Sequence, residues 1–200
     1  MINYSYLALG DSYTIGEQVP FAENFPNQTV QILRRSGLAF YAAEIIAKTG
    51  WTTDELSNAI ENTTTLENYD IVSLLIGVNN QYRGRSTDEY AVQFTQLLQK
   101  AIGYTGEKPN HVIVLSIPDW GVTPFAEDRD RKQVAEEIDV YNDICKKSAA
   151  AFKANFINIT ISQRDDGNKT AFLAPDGLHP SGKEYKKWAA ELADAILKAL

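Results

Sequence analysis

The sequence predicts an α/β protein in which helices surround a parallel sheet. Short apolar, β-branched or aromatic runs alternate with longer segments of helical period, the pattern of consecutive βα units. Several of those runs are apolar at successive residues, as in "IVSLLIG" and "VIVLSIP", which suits strands covered on both faces rather than on one. The chain has 200 residues and 44% hydrophobic content, enough for a proper core without staples. With no internal repeat, low-complexity tract or linker, residues 1–200 read as one domain.

The strands predicted are Tyr4–Leu9, Phe40–Lys48, Asp70–Ile76, His111–Ile117 and Asn155–Ile159. Helix starts are marked by Thr52 with Glu55, Ser86 with Glu89, and Ser181 with Glu184, each at the S/T-x-x-E spacing of a capping box. The segment Glu127 to Lys153 places Val134, Ile138, Tyr141, Cys145 and Phe152 at near-helical spacing, so it reads as a long amphipathic helix. A last helix over Gly182 to Leu200 puts Tyr185, Trp188, Leu192, Ile196 and Leu200 on one stripe, which is core material.

Composition narrows the partners. A net charge of -7 without a basic cluster argues against a nucleic-acid or anionic-membrane surface and leaves a small molecule as the expected partner. No stretch is long and apolar enough to span a bilayer, and "MINYSYLALGDS" has no basic n-region; stable membrane insertion is not expected, and the chain reads as cytoplasmic. The one cysteine, Cys145, sits in a helical pattern as a small buried residue. Phosphate-cradling glycine motifs are absent, and Asp11 stands where such a loop would meet an anion, so no nucleotide cofactor is predicted.

Ligands of an open parallel sheet bind beyond the carboxyl ends of its strands. That edge collects Gly10, Asp11 and Ser12 after the first strand, Gly50 after the second, Gly77 to Asn80 after the third, and "APDGLHPS", residues 174 to 181, before the last helix. Gly, Asp and Ser are also ordinary turn and helix-start residues, so Ser12 alone suits an N-cap as well as a nucleophile. Of the two histidines, His111 falls at the opposite edge, and His179 lies on the productive one with Asp176 three residues before it. A serine hydroxyl needs a base to take its proton during attack, and imidazole exchanges protons near neutral pH. Asp176 would fix its tautomer, while the N–H groups of Ser12 and Gly50 and the amide of Asn79 would meet an oxyanion.

Taken together, "GDSYTIG" (10 to 16), Gly50 in "KTGWTT", "GVNN" (77 to 80) and "DGLH" (176 to 179) resemble, in order, the four blocks of the SGNH hydrolase superfamily, also called the GDSL esterase/lipase family. The resemblance spans essentially the whole domain. It implies a three-layer α/β/α sandwich with a flavodoxin-like five-stranded parallel sheet, and metal-free, cofactor-free hydrolysis of esters or thioesters. By position it implies Ser12 as nucleophile, His179 as base, Asp176 as its orienter, and Ser12, Gly50 and Asn79 as the oxyanion hole. Asn80 departs from the pattern, which usually has Asp there.

The expected substrate is a small acyl or aryl ester, with lysophospholipid and thioester in the same class and a carbohydrate O-acetyl ester as the nearest alternative. Tyr13, Trp51, Tyr82, Trp120, Phe125 and Leu178 are candidates to wall it, and Arg83 and Arg85 to meet an anionic leaving group. From other classes, a metal-dependent phosphodiesterase would have to gather Asp11, Asn79, Asp176 and His179 around a cation with one histidine at that edge. A non-catalytic ligand-binding module would keep the fold without turnover.

Overall fold

The computed structural model describes residues 3–200. Among these, five parallel strands form the main sheet: β2 (Tyr6–Asp11), β4 (Glu44–Lys48), β5 (Ile71–Leu75), β6 (Val112–Leu115) and β7 (Asn155–Ile157). Their spatial order is β4-β2-β5-β6-β7. The chain leaves β2 toward one side and returns to its other side at β5, so the sheet reverses direction at β2. The loops after β2, β4 and β5 therefore meet at one edge.

The three central strands are buried at every position, as their unbroken apolar runs require, while the edge strands β4 and β7 are only partly covered. Helices α2 (Phe25–Arg35) and α8 (Gly182–Ala199) pack together on one face. On the other lie α3 (Thr53–Glu61), α5 (Thr87–Gly103) and α6 (Arg131–Phe152), completing three layers. The α8 stripe of Tyr185, Trp188, Leu192 and Ile196 is fully buried, and Leu200 is left exposed where the helix ends.

Three features differ from the expected elements. The first two strands are interrupted: β1 (Asn3–Tyr4) and β3 (Ala39–Phe40) pair as a separate two-stranded ribbon. The break falls at Ser5, whose N–H and hydroxyl both donate to Asp70 Oδ2, at 2.7 and 2.9 Å, so a carboxylate replaces the ladder there. The fifth strand stops at Ile157 because Asn158 turns the chain and accepts from the Thr160 N–H at 3.2 Å, opening an additional helix, α7 (Ile159–Asp166). Finally, α6 starts at Arg131 rather than Glu127, since Asp130 Oδ1 caps the N–H groups of Lys132 and Gln133.

No helix among the described residues is long and apolar enough to cross a membrane.

Candidate active site

Strand β2 runs directly into the short helix α1 (Ser12–Ile15). Asp11 keeps extended backbone and is the N-cap, its Oδ1 accepting from the Tyr13 N–H at 3.0 Å. Ser12 is thus the first helical residue rather than the cap. Its N–H is one of the donors that a helix start leaves without an intrahelical acceptor.

His179 reaches Ser12 from 167 residues away: Nε2 lies 3.0 Å from Ser12 Oγ. Its Nδ1 lies 2.6 Å from Asp176 Oδ2, and Asp176 Oδ1 accepts from the N–H groups of Leu178 and His179, both at 3.0 Å. One carboxylate therefore shapes the turn and orients the ring. Partial burial pushes the Asp176 carboxyl up, but hydrogen bonds from the His179 ring and from those two N–H groups outweigh it and hold the carboxyl below its ordinary range. The Tyr13 ring packs 4.9 Å from the imidazole and rests in turn on Trp188. This fixes the ring from the core side.

Gly50 follows β4 with φ of +83°, a conformation other L-residues adopt rarely. Among the described residues the Gly50 N–H has no protein acceptor, while the Ser12 N–H stands at the end of the β2–β4 ladder, whose last pair is Asp11 with Lys48. The Gly50 donor beside the serine is thus unspent. Asn79, in helix α4 (Val78–Tyr82) after β5, is placed differently: its Nδ2 donates to the Trp51 carbonyl at 3.0 Å and to Asp11 Oδ2 at 3.4 Å. Burial pushes the Asp11 carboxyl up to about 7, against the opposing hydrogen bonds from backbone N–H groups and Asn79.

The adjacent Asn80 faces away from this cluster. It is fully buried, its Oδ1 accepts from the Thr53 N–H at 3.1 Å, and its Nδ2 donates to Thr53 Oγ1 at 2.7 Å. The amide thereby ties α4 to the first turn of α3. An amide serves that position because it supplies both an acceptor and a donor.

A cavity of about 180 Å³ opens on these groups and is lined by Ser12, Gly50, Asn79 and His179. Its remaining walls are mostly apolar: Tyr82, Trp120, Phe125 and Leu178, with Tyr13, Thr49 and Val78. The rings of Tyr82, Trp120 and Phe125 form one cluster with centroids 5.3 to 6.3 Å apart.

A family profile, GDSL-like Lipase/Acylhydrolase, matches residues 8–187. The chain belongs to this family. Solved structures with the same GDSL-like fold include TesA (17% identity, 98% of this chain and 99% of that chain, TM-score 0.76). A member of the lipolytic protein G-D-S-L family from Veillonella parvula DSM 2008 matches over 100% of both chains, with 16% identity and TM-score 0.77. The acetyl xylan esterase Axe2-W215I from Geobacillus stearothermophilus matches over 96% of this chain and 94% of that one, with 20% identity and TM-score 0.74. No curated protein is similar enough in sequence to count as a relative.

Within this GDSL-like domain the structure does not bring every candidate to the cavity. Trp51 offers its carbonyl to Asn79 and does not line it. Tyr13 lines it but is buried, its ring committed to His179. Arg83 donates to the Gly50 carbonyl at 2.6 Å, and Arg85 pairs with Asp54 at 2.8 Å, so both already have acceptors. His111 lies away from the site, with Nδ1 2.7 Å from the Asp70 carbonyl. Thr49 was not singled out in the sequence, although it adjoins Gly50, and Val78 entered only as part of the "GVNN" turn. Among the described residues no three His, Cys, Asp or Glu side chains are grouped as metal ligands; Asp176 is committed to His179 and Asp11 to the α1 turn.

Proposed function

We propose that the protein hydrolyses carboxylic esters of short acyl chains, with Ser12 as nucleophile, His179 as general base and then acid, and Asp176 as the group that orients it. The observation that carries this reading is the continuous Asp176–His179–Ser12 hydrogen-bonded chain, 2.6 and 3.0 Å, beside the unspent Gly50 N–H.

With the ring proton on Nδ1 held by Asp176, Nε2 accepts the Ser12 hydroxyl proton as Oγ attacks the acyl carbon. The carbonyl oxygen becomes an oxyanion, received by the N–H groups of Ser12 and Gly50. Asn79 adds a third donor when its longer contact, 3.4 Å to Asp11, gives way to the oxyanion. Each such donor contributes roughly 3 to 4 kcal/mol to the transition state. His179 then gives its proton to the departing alkoxide, leaving an acyl-Ser12 ester. Water repeats the sequence: His179 takes its proton, the hydroxide adds, and the carboxylic acid departs as Ser12 recovers the proton.

The cavity supports the acyl assignment. Its volume of about 180 Å³ lies below the ~300 Å³ at which pockets begin to enclose drug-sized ligands, so it suits a short chain better than a fatty one.

Steady-state kinetics on p-nitrophenyl acetate test the reading. Ser12→Ala and Asp176→Asn are each expected to lower kcat by roughly 10⁴ with little change in KM. A Ser12→Ala enzyme within tenfold of the unmodified one overturns it.

A further inference from the structure

A second cavity, about 420 Å³, shares the Tyr82 and Trp120 rings with the catalytic one. It lies within the ~300 to 1,000 Å³ that accommodates whole small ligands. The partition between the two cavities consists of Tyr82, which is 46% exposed, and the buried Trp120. The two spaces have opposite character. The wall around Ser12 is largely apolar, whereas the neighbour is lined by Asp128, Arg129, Asp130, Gln133 and Glu137.

We propose that this second cavity is a leaving-group subsite for an uncharged, hydroxyl-rich group, which makes the substrate a short-chain acyl ester of a sugar. The proposal rests on the esterase reading above, since it assigns the alcohol half of the same ester.

Its polar floor is already ordered. Trp120 Nε1 donates to Gln81 Oε1 at 2.7 Å, and Gln81 Nε2 donates to Glu137 Oε2 at 2.7 Å. Gln133 Nε2 donates to Glu137 Oε1 at 2.8 Å. Asp128 and Arg129, by contrast, have no side-chain hydrogen-bond partner among the described residues. One is an acceptor and the other a donor, and a sugar hydroxyl needs both at once.

Charge selects among leaving groups. Asp128, Asp130 and Glu137 against Arg129 leave an excess of carboxylate, which disfavours a phosphate-bearing or carboxylated alcohol. An ammonium alcohol would seek an aromatic face, but the Arg129 guanidinium already sits 5.7 Å from the Tyr82 ring centroid and would repel it. A neutral polyol pays neither cost. On hydrolysis its alkoxide takes the His179 proton and departs through this cavity as the free sugar.

The experiment compares kcat/KM for mono-O-acetyl cellobiose, p-nitrophenyl acetate, acetylcholine and acetyl-CoA, and adds Arg129→Ala and Asp128→Ala variants. The acetylated sugar is expected to exceed p-nitrophenyl acetate at least tenfold, and that ratio is expected to fall at least fivefold in each variant. As a binding readout without turnover, cellobiose titrated into the Ser12→Ala protein should shift the Trp120 indole N–H resonance. A sugar ratio of one or less, a ratio unaltered by both variants, or preference for acetylcholine or acetyl-CoA overturns the subsite. If p-nitrophenyl acetate is cleaved through Ser12 without sugar preference, the subsite fails and the esterase stands. If no ester is cleaved through Ser12, the esterase reading fails, and the cellobiose titration still decides whether the cavity binds a sugar.

Discussion

Asp11 shows how one side chain can serve a turn and a reactive site together. Its Oδ1 caps α1 and so fixes where the Ser12 N–H points, while its Oδ2 faces the Asn79 amide. The first role falls one residue before the cap that the sequence suggested, Ser12, because Asp and Ser are both common caps. The second is not legible in the sequence, since Asn79 lies 68 residues away and only the pairing of β2 with β5 brings it close. Burial holds the Asp11 carboxyl up near 7, above the ~3.9 of an exposed aspartate. The folded state thus retains a proton that the unfolded chain has released. The resulting stabilisation is fully present below about pH 4 and is lost as pH rises through about 7. Asp11→Asn removes this titration, so its stability relative to the unmodified protein is expected to rise between about pH 4 and 8. The rise is expected to reach about 4 kcal/mol, because each tenfold difference in proton affinity between the folded and unfolded states is worth ~1.4 kcal/mol. Denaturant titrations at several pH values check it; a difference constant across that range contradicts the assignment.

At the scale of elements, the loops at the active edge are held by side chains that reach from one helix to the next. Asn80 joins α4 to α3 through Thr53, and this holds Asn79, its neighbour, in register beside Ser12. Asn80→Ala leaves the buried Thr53 N–H without an acceptor, at a cost of about 1 to 3 kcal/mol. It is expected to lower both the melting temperature and kcat on p-nitrophenyl acetate; an unchanged melting temperature would show that the link carries no load. Helix starts were legible at Thr52, Ser86 and Ser181, all of which begin helices. Their acidic partners behave differently. Glu55 does accept from the Thr52 N–H, at 2.9 Å, whereas Glu184 is buried and bonds Ser162 and Trp188 instead. Spacing alone does not tell a capping carboxylate from one claimed by tertiary partners. Helix α7 is hidden in the sequence for a related reason: its β-branched start, Ile159 to Ile161, continues the strand pattern past Asn158, where the chain turns.

For the whole molecule, the sheet was legible because its three central strands are buried on both faces and so are apolar at successive positions. The site was legible through topology rather than proximity: the carboxyl-edge rule placed Ser12, Gly50, Asn79 and His179 at one edge before any distance was known. Substrate walls were not, because an aromatic residue in a loop can equally cover the core, as Tyr13 does, or offer only its backbone, as Trp51 does. Cys145 marks how closed the domain is. It is fully buried against the Tyr90 hydroxyl, 3.0 Å away, and burial pushes its thiol up to about 12. Ellman's reagent is expected to leave it unmodified in the native protein and to titrate one thiol after denaturation. Rapid reaction in the native state would contradict the packing of α5 against α6.

Nucleophilic activation of Ser12 by His179 is most directly read by treating the native protein with a fluorophosphonate and mapping the adduct by peptide mass spectrometry. The predicted result is one adduct, on the peptide containing Ser12, abolished by Ser12→Ala and strongly slowed by His179→Ala. An unlabelled Ser12 in the folded protein, or labelling at the same rate after His179→Ala, would contradict it.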